Sequence, residues 1–463
     1  MVAKTTHFKG IALVLGLGNS GVAAAKALMA SGNKVLAWDD SESRKLEAAL
    51  EGISISKKNH FHWKDIEVLV ASPGIPSDHP IISDAQNANV EVMGDFELLW
   101  RANPSSKYIG ITGTNGKSTT TALIGHIFQK AKCISEVGGN LGIPALKLKT
   151  LSAKGTYVLE ASSFQLDLTL NMSFTVAILL NISPDHLDRH EHMNKYIKAK
   201  KNIFRPGKLK TAIIGIDGKE TFNVYQELTK RKDLNVIPVT TTALNSFNHS
   251  VTVEDGLLKD KNQIICNLKS AAALPGKHNW QNAAAAYAAA RALGINTRTI
   301  VDALLSFPGL AHRMELVATI DGVKFINDSK ATNIESTAQA LACFQSVYWI
   351  AGGRSKSDGL EVLEPFYGHI LHAFLIGEAK STFSNKLSGR VKNSQCGTLA
   401  KATNEAARLA FANRRNKGAT VLLSPACASF DQFLNFEERG NAFKGIVAKL
   451  SQQKFVHKES GSL

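Results

Sequence analysis

Apolar and polar positions along the chain keep switching period. Short apolar runs, each ended by glycine or a polar cluster, alternate with longer stretches whose apolar positions repeat at helical spacing. The first run, residues 11–15, leads into Gly16-Leu17-Gly18-Asn19-Ser20-Gly21 and an alanine-rich helix that Ser31-Gly32 ends near residue 30. Residues 34–38 and 66–70 predict two more strands, the second running into Ser72-Pro73-Gly74-Ile75. Residues 94–104 read as a linker. The alternation restarts at residue 107: Tyr108, Ile109 and Ile111 predict a buried strand. Ala122, Leu123, Ile124, Ile127 and Phe128 then predict a helix from about Ser118. Strands follow at 156–159, 175–182 and 211–216, while 217–273 is mixed and carries no assignment. Asn279 reads as the N-cap of an alanine-rich helix over 280–293. Beyond Phe307-Pro308-Gly309 a third unit shows strands near 323–326, 347–351, 373–376 and 421–423, and the polar end from about residue 452 reads as frayed.

Length agrees with three units, since 463 residues exceed what one core ordinarily serves. A composition 44% hydrophobic and 20% charged is that of a globular protein. No signal-like start and no apolar run long enough to span a bilayer appear, so a cytoplasmic location is expected. Lys and Arg outnumber Asp and Glu by 54 to 39, a formal charge of +15. The excess is spread along the chain without aromatic-interleaved basic runs, which argues for polyanionic small molecules and against nucleic acid. Five scattered cysteines without metal-ligand spacing read as reduced thiols.

Two glycine turns carry the chemistry. Gly16–Gly21 is a G-x-G-x-x-G turn between strand and helix, with Asp39-Asp40 where a ribose-binding carboxylate belongs; alone it would suggest a dinucleotide enzyme. Gly113-Thr114-Asn115-Gly116-Lys117-Ser118-Thr119 aims N–H groups and a helix N-terminus at an anion. There Lys117 adds positive charge and Ser118 offers a magnesium ligand. It departs from the strict P-loop, because Ile111 stands where the first glycine belongs. Glu160 and His186 follow neighbouring strands, and Glu160 suits Mg²⁺. His186 and His190 have i,i+4 spacing, yet no cysteine or H-E-x-x-H pattern supports zinc, and His190 and His192 read as surface histidines. On residue pattern alone Lys200 is a helix-surface lysine.

The loop at 113–119 resembles the ATP loop of the Mur ligase family, and ordered blocks extend the resemblance along nearly the whole chain. They are Leu159-Glu160-Ala161-Ser162-Ser163-Phe164-Gln165-Leu166, Asp185-His186-Leu187-Asp188, Tyr196-x-x-x-Lys200, Gly276-Lys277-His278-Asn279-x-x-Asn282 and His312-Arg313-Met314-Glu315. Asn327-Asp328-Ser329-Lys330-Ala331-Thr332-Asn333 and Ser424-Pro425-Ala426-Cys427-Ala428-Ser429-Phe430-Asp431-Gln432-Phe433 resemble the branch that adds D-glutamate. The resemblance implies an α/β chain of three domains. These are a Rossmann-like UDP-binding domain (1–102), a central P-loop-type ATPase domain with a mostly parallel sheet (103–307), and a Rossmann-like amino-acid-binding domain (308–463).

It also implies a cytoplasmic, monomeric, ATP-dependent ligase of peptidoglycan precursor synthesis. The carboxylate of UDP-N-acetylmuramoyl-L-alanine would attack ATP to give an acyl-phosphate, and the amine of D-glutamate would displace phosphate. By motif, Gly113 to Thr119, Asn279, Asn282, Arg313 and Asp328 would hold ATP. Asn19, Ser20, Asp39, Ser72, Gly74, Asn140, Ser162, Gln165 and His186 would hold the UDP substrate. Lys330, Thr332, Lys356, Ser429 and Phe436 would hold D-glutamate. Lys117, Glu160, His186 and Lys200 would be catalytic. Two Mg²⁺ ions would use Ser118, Glu160, His186 and a carbamylated Lys200.

Overall fold

The computed structural model describes residues 5–57, 61–140, 142–242, 250–355, 359–413 and 418–459, with side chains to residue 452. Its contacts divide the chain into two units. The first holds residues 1–270 and 279–306, and the second holds 271–278 and 307–463. Three sheets carry the fold, two in the first unit and one in the second.

In the first sheet the order is β2-β1-β3-β4, all parallel, from β1 (Ile11–Leu15), β2 (Lys34–Trp38), β3 (Ile66–Ala71) and β4 (Glu91–Met93). Fully buried parallel strands read as continuous apolar runs, which is why β1 was plain in the sequence. The expected linker at 94–104 is instead largely a helix, Asp95–Ala102, whose Phe96, Leu98 and Leu99 are fully buried. Burying each such side chain is worth about 1.5–3 kcal/mol. Glu97 goes inside with them. Its Oε2 accepts N–H bonds from Leu170, Asn171 and Met172 at 2.9, 3.0 and 2.9 Å, and its Oε1 takes Arg101 Nε, which supports the buried charge. One apolar cluster runs from Ala12 and Val14 through Phe96 to Tyr157 and Ile214, so the first two sheets share a core.

The second sheet contains β5 (Lys107–Thr112), β6 (Ser135–Gly139), β7 (Thr156–Glu160), β8 (Val176–Leu179), β9 (Thr211–Gly215) and β10 (Asn235–Thr240). It continues through β11 (Val251–Glu254), β12 (Leu257–Asp260) and β13 (Gln263–Asn267). Its order is β13-β12-β11-β10-β9-β8-β5-β7-β6, antiparallel only in the β11–β13 meander. That meander and the helix Lys219–Leu228 occupy the stretch that carried no sequence assignment, where short half-exposed strands give weak periodicity. The alanine-rich helix starts at Lys277, so Asn279 lies inside its first turn and is not its cap.

The second unit orders β14 (Glu315–Ile320), β15 (Val323–Asn327), β16 (Val347–Gly352), β17 (Ile370–Ile376), β18 (Asn393–Gly397) and β19 (Thr420–Leu423) as β14-β15-β19-β16-β17-β18. Only the β14–β15 pair is antiparallel. The closing helix, Phe436–Glu459, continues past residue 452, where fraying was expected; its Lys and Gln residues are good helix formers.

Candidate active site

The loop after β5 is shaped by what fills it. Gly116 caps the helix Lys117–Lys130 at φ 84°, and a Cβ there would lie 2.3 Å from Asn282 Oδ1, so only glycine fits. Asn181, just past β8, grips Asn115 on both sides of the residue: its Oδ1 accepts Asn115 N–H at 2.8 Å and its Nδ2 donates to Asn115 O at 3.1 Å. The backbone of Thr114 bonds to Asn181 O at 3.0 Å. Ser118 and Thr119 are buried in the first helical turn. Lys117 Nζ folds back to donate to Gly113 O (2.9 Å) and Thr114 O (2.8 Å). Asn279 and Asn282, both buried, bond to each other at 3.3 Å, and Asn282 brings the pair against Gly116.

Lys200 is where the residue pattern alone misled. It is 2% exposed, and its Nζ donates to the same Gly113 O at 2.9 Å that Lys117 uses. Tyr196 lies beneath it, 4.5 Å from Nζ to ring centroid, with its hydroxyl 3.2 Å from Thr114 Oγ1. Burial holds the Lys200 ammonium well below the ordinary lysine range, and the nearby Lys117 charge pushes the same way. The helix Met193–Lys201 buries Tyr196, Ala199 and Lys200, while Lys198 stays exposed and Lys201 half-buried.

Glu160 ends β7, 3% exposed, opposite Ile111 of β5, and its Oε1 accepts Asn140 Nδ2 at 3.0 Å. Ser162 and Gln165 form a capping box on the helix Ser163–Asp167. The Gln165 amide also donates to Asp95 at 3.3 Å, a carboxyl that burial raises to about 6. His186 sits at φ 54° before the short helix Leu187–His190, edge-on to Phe164 with centroids 5.2 Å apart. His190 is not a surface residue: it is 6% exposed, stacked on Phe164 at 5.0 Å and bonded to Ser163 Oγ at 2.8 Å. Burial, chiefly, lowers its pKa. Among the described residues no group of three or more His, Cys, Asp and Glu side chains is placed to hold a metal.

At the first glycine turn, Asn19 and Ser20 open the helix Asn19–Ala30 and Ser72 Oγ donates to Gly16 O at 2.7 Å. Gly74 lies exposed in the turn after β3. Asp39 is 3% exposed, with Oδ2 accepting Leu17 N–H at 2.6 Å and Oδ1 accepting Ser41 N–H at 2.8 Å. It thereby fixes the turn. Asp40 is the outward carboxylate, held by Trp38 Nε1 at 3.2 Å and His79 Nε2 at 3.1 Å, with the His79 bond the main reason its pKa falls.

In the second unit the ends of β15 and β19 meet. Asp328 is buried, takes Ser424 Oγ at 2.9 Å and Met314 N–H at 3.1 Å, and is raised to about 7, mainly by burial. Arg313 sits near His278, whose pKa burial and that charge lower to about 4. Lys330 Nζ stands 5.1 Å over the Phe436 ring, Thr332 follows in the same turn, and Ser429 is buried at 2%. Lys356 lies outside the described residues. The thiol of Cys427 is buried and pushed up to about 12, an inert group.

Sequence reasoning passed over Arg439. It is 1% exposed and donates to Ser329 Oγ, Ser329 O and Cys427 O at 3.0, 2.8 and 3.1 Å, joining the two motifs that bracket Lys330 and Ser429. One signal was available: Arg439, Phe443 and Val447 share an i, i+4, i+8 stripe whose other members are fully buried.

Comparisons with known proteins agree along the chain. The Mur ligase MurD-like N-terminal domain matches residues 11–94, the Mur ligase middle domain 111–290, and the Mur ligase glutamate ligase domain 312–427. A Rhodospirillum rubrum protein named UDP-N-acetylmuramoylalanine–D-glutamate ligase is 46% identical over 462 residues, covering 97% of this chain and 96% of its own. The Caulobacter vibrioides protein of the same name is 46% identical, covering 95% of each. Among solved structures, UDP-N-acetylmuramate-alanine ligase from Thermotoga maritima superimposes with a TM-score of 0.59 at 16% identity, covering 95% of this chain and 99% of that one. MurF from Acinetobacter baumannii gives 0.58 at 16%, covering 95% and 93%. With three domain matches and close full-length relatives, the chain belongs to the Mur ligase family.

Proposed function

We propose that the chain joins D-glutamate to UDP-N-acetylmuramoyl-L-alanine with cleavage of ATP to ADP and phosphate, a step of peptidoglycan precursor synthesis. One observation carries the chemistry: Lys117 and Lys200 converge on Gly113 O, each at 2.9 Å, inside a glycine turn at a helix N-terminus. The Lys117 ammonium and the N–H groups that open the helix at that point suit a triphosphate, whose transfer needs positioning and charge neutralisation more than covalent help, while Lys200 brings a buried amine to the same carbonyl. Relatives 42–46% identical that carry the D-glutamate ligase name support the choice of substrates.

The UDP substrate would lie along the first glycine turn, with Asn19, Ser20, Ser72 and Gly74 near the diphosphate and Asn140, Ser162, Gln165 and His186 toward the sugar. Asp39 would act by holding the turn. Lys117, with the N–H groups of residues 117–119 at the helix start, would hold the β- and γ-phosphates; Asn279, Asn282, Arg313 and Asp328 would take the rest of ATP. Mg²⁺ at Ser118 and Glu160, and a second ion at His186 and Lys200, would offset charge on the transferring phosphoryl group. Burial keeps the Lys200 amine available to combine with CO₂, releasing a proton and leaving an anionic carbamate that suits a cation. Lys330, Thr332, Lys356, Ser429 and Phe436 would seat D-glutamate, with Arg439 holding that site's walls together. The chain would act as a monomer in the cytoplasm; among the described residues no helix is long and apolar enough to cross a membrane.

Phosphate release measured with each component left out in turn tests this reading. Release should require UDP-N-acetylmuramoyl-L-alanine, D-glutamate, ATP and Mg²⁺ together, and equal rates with L-lysine or meso-diaminopimelate would defeat the D-glutamate assignment.

A further inference from the structure

Arg189, in the short helix Leu187–His190 that follows β8 of the second sheet, reaches to the turn after β3 of the first sheet. Its Nη1 donates to Gly74 O and its Nη2 to Ile75 O, both at 2.9 Å. The guanidinium plane lies over the Phe164 ring at 4.6 Å, and that ring also meets His186 edge-on and His190 face-on. On the far side the Ser72–Ile75 turn backs onto the first glycine turn. Ser72 Oγ bonds Gly16 O, and a Cβ at Gly16 would lie 2.8 Å from Ile75 Cγ1. A single planar fork therefore connects the backing of one glycine turn to the ring stack that seats His186. The two sheets do not need this contact to stay together, since they share a core and the Glu97 carboxylate already ties them.

We infer that Arg189 is a positioning residue: it sets the register between the turn at Ser72–Ile75 and the His186 edge, and so the place of the reacting carboxylate. This inference rests on the proposed ligase reaction. A guanidinium donates along two parallel directions to two carbonyls, which an ammonium on a lysine stem cannot reproduce. Misplacing a reacting group by about 1 Å costs on the order of 100-fold in rate.

The test is phosphate release by the full chain carrying Arg189→Ala, with every substrate saturating. We expect kcat to fall on the order of 100-fold, with KM for ATP and D-glutamate within about threefold of the parent and Tm within ~2 °C. Millimolar guanidinium should restore part of kcat where sodium chloride of equal ionic strength does not, and Arg189→Lys should recover little. Phe164→Leu, which removes the ring beneath the fork, provides an independent check, with a smaller fall of about tenfold expected. A kcat within about twofold of the parent in Arg189→Ala overturns the inference. So does a loss that follows Tm and ignores guanidinium. If the parent chain itself shows no D-glutamate-dependent release, the ligase reading falls and takes this inference with it.

Discussion

Both β1 and β5 feed through a glycine turn into a helix, so each aims backbone N–H groups and a helix N-terminus at one place. Their furnishing is opposite. Beneath the first turn Asp39 accepts Leu17 N–H, so a negative group already occupies one of the turn's donors. Inside the second, Lys117 and Lys200 crowd one carbonyl. The same backbone geometry is braced by a carboxylate in the first case and faced by two lysine amines in the second. The cost is carried differently too. Asp39 is satisfied by hydrogen bonds, whereas Lys200 gives up much of its affinity for a proton.

Removing the charge that most distinguishes the second turn should have the largest effect. Lys117→Met keeps the stem and loses the ammonium, and turnover should drop on the order of 1,000-fold, as when a charge-stabilising donor is deleted from an active site. Since Lys117 also depresses the Lys200 pKa, the variant should shift the Lys200 titration upward, readable by pH-dependent labelling of its amine. Turnover within tenfold of the parent, by the same phosphate assay, would break the contrast between the turns.

Lys200→Ala comes next. If a carbamate on this buried lysine supports the second metal, activity should fall on the order of 100-fold and return in part when a short carboxylate such as propionate fills the vacated space. Full activity without any additive would remove the carbamate from the mechanism.

The two turns also show what a sequence discloses. Glycines, Lys117 and the apolar runs of β1 and β5 announce themselves, because each is a local demand: a close backbone approach, a charge beside N–H donors, a buried strand. Lys200 and His190 did not, because their burial comes from packing between segments far apart in the chain. Asp39 and Asp40 illustrate the same limit: neighbours in sequence, one is consumed by backbone N–H groups and the other faces solvent. The short strands β11–β13 and the edge strand β18 lack the long apolar runs that mark central parallel strands, so the centre of each sheet was easier to find than its margins.

A smaller, sharper separation lies within the first turn. A Cβ at Gly21 would sit 1.7 Å from Gly16 O, whereas nothing lies within 4 Å of one at Gly18, whose φ of −72° suits any residue. Gly21→Ala should lower stability by about 1–3 kcal/mol through forced backbone shifts. Gly18→Ala should leave it within about 0.5 kcal/mol. If the turn seats a diphosphate closely, Gly18→Ala should instead raise KM for the UDP substrate while leaving KM for ATP alone. Denaturant melts together with two KM values decide it. Equal KM changes for both nucleotides would mean the turns are not separate seats.

The smallest expected effect concerns the joint between the two turns' sheets, where the Gln165 amide meets Asp95. Asp95 is buried, and burial raises its carboxyl to about 6 against an unfolded value near 4. Between those values the folded chain keeps a proton that the unfolded chain has lost. Stability therefore falls as pH rises through that window, by at most about 1.4 kcal/mol per pH unit, and levels off above it. Asp95→Asn keeps an oxygen for Phe96 N–H, places an NH₂ where Oδ2 accepted Gln165 Nε2, which gives a pH-independent offset, and removes the ionisation. The variant should gain on the parent as pH is raised from 4.5 to 7.5, read as the difference between their melting temperatures at each pH. A constant offset across that range would show that this carboxyl ionises without cost, and that the joint is looser than its burial implies.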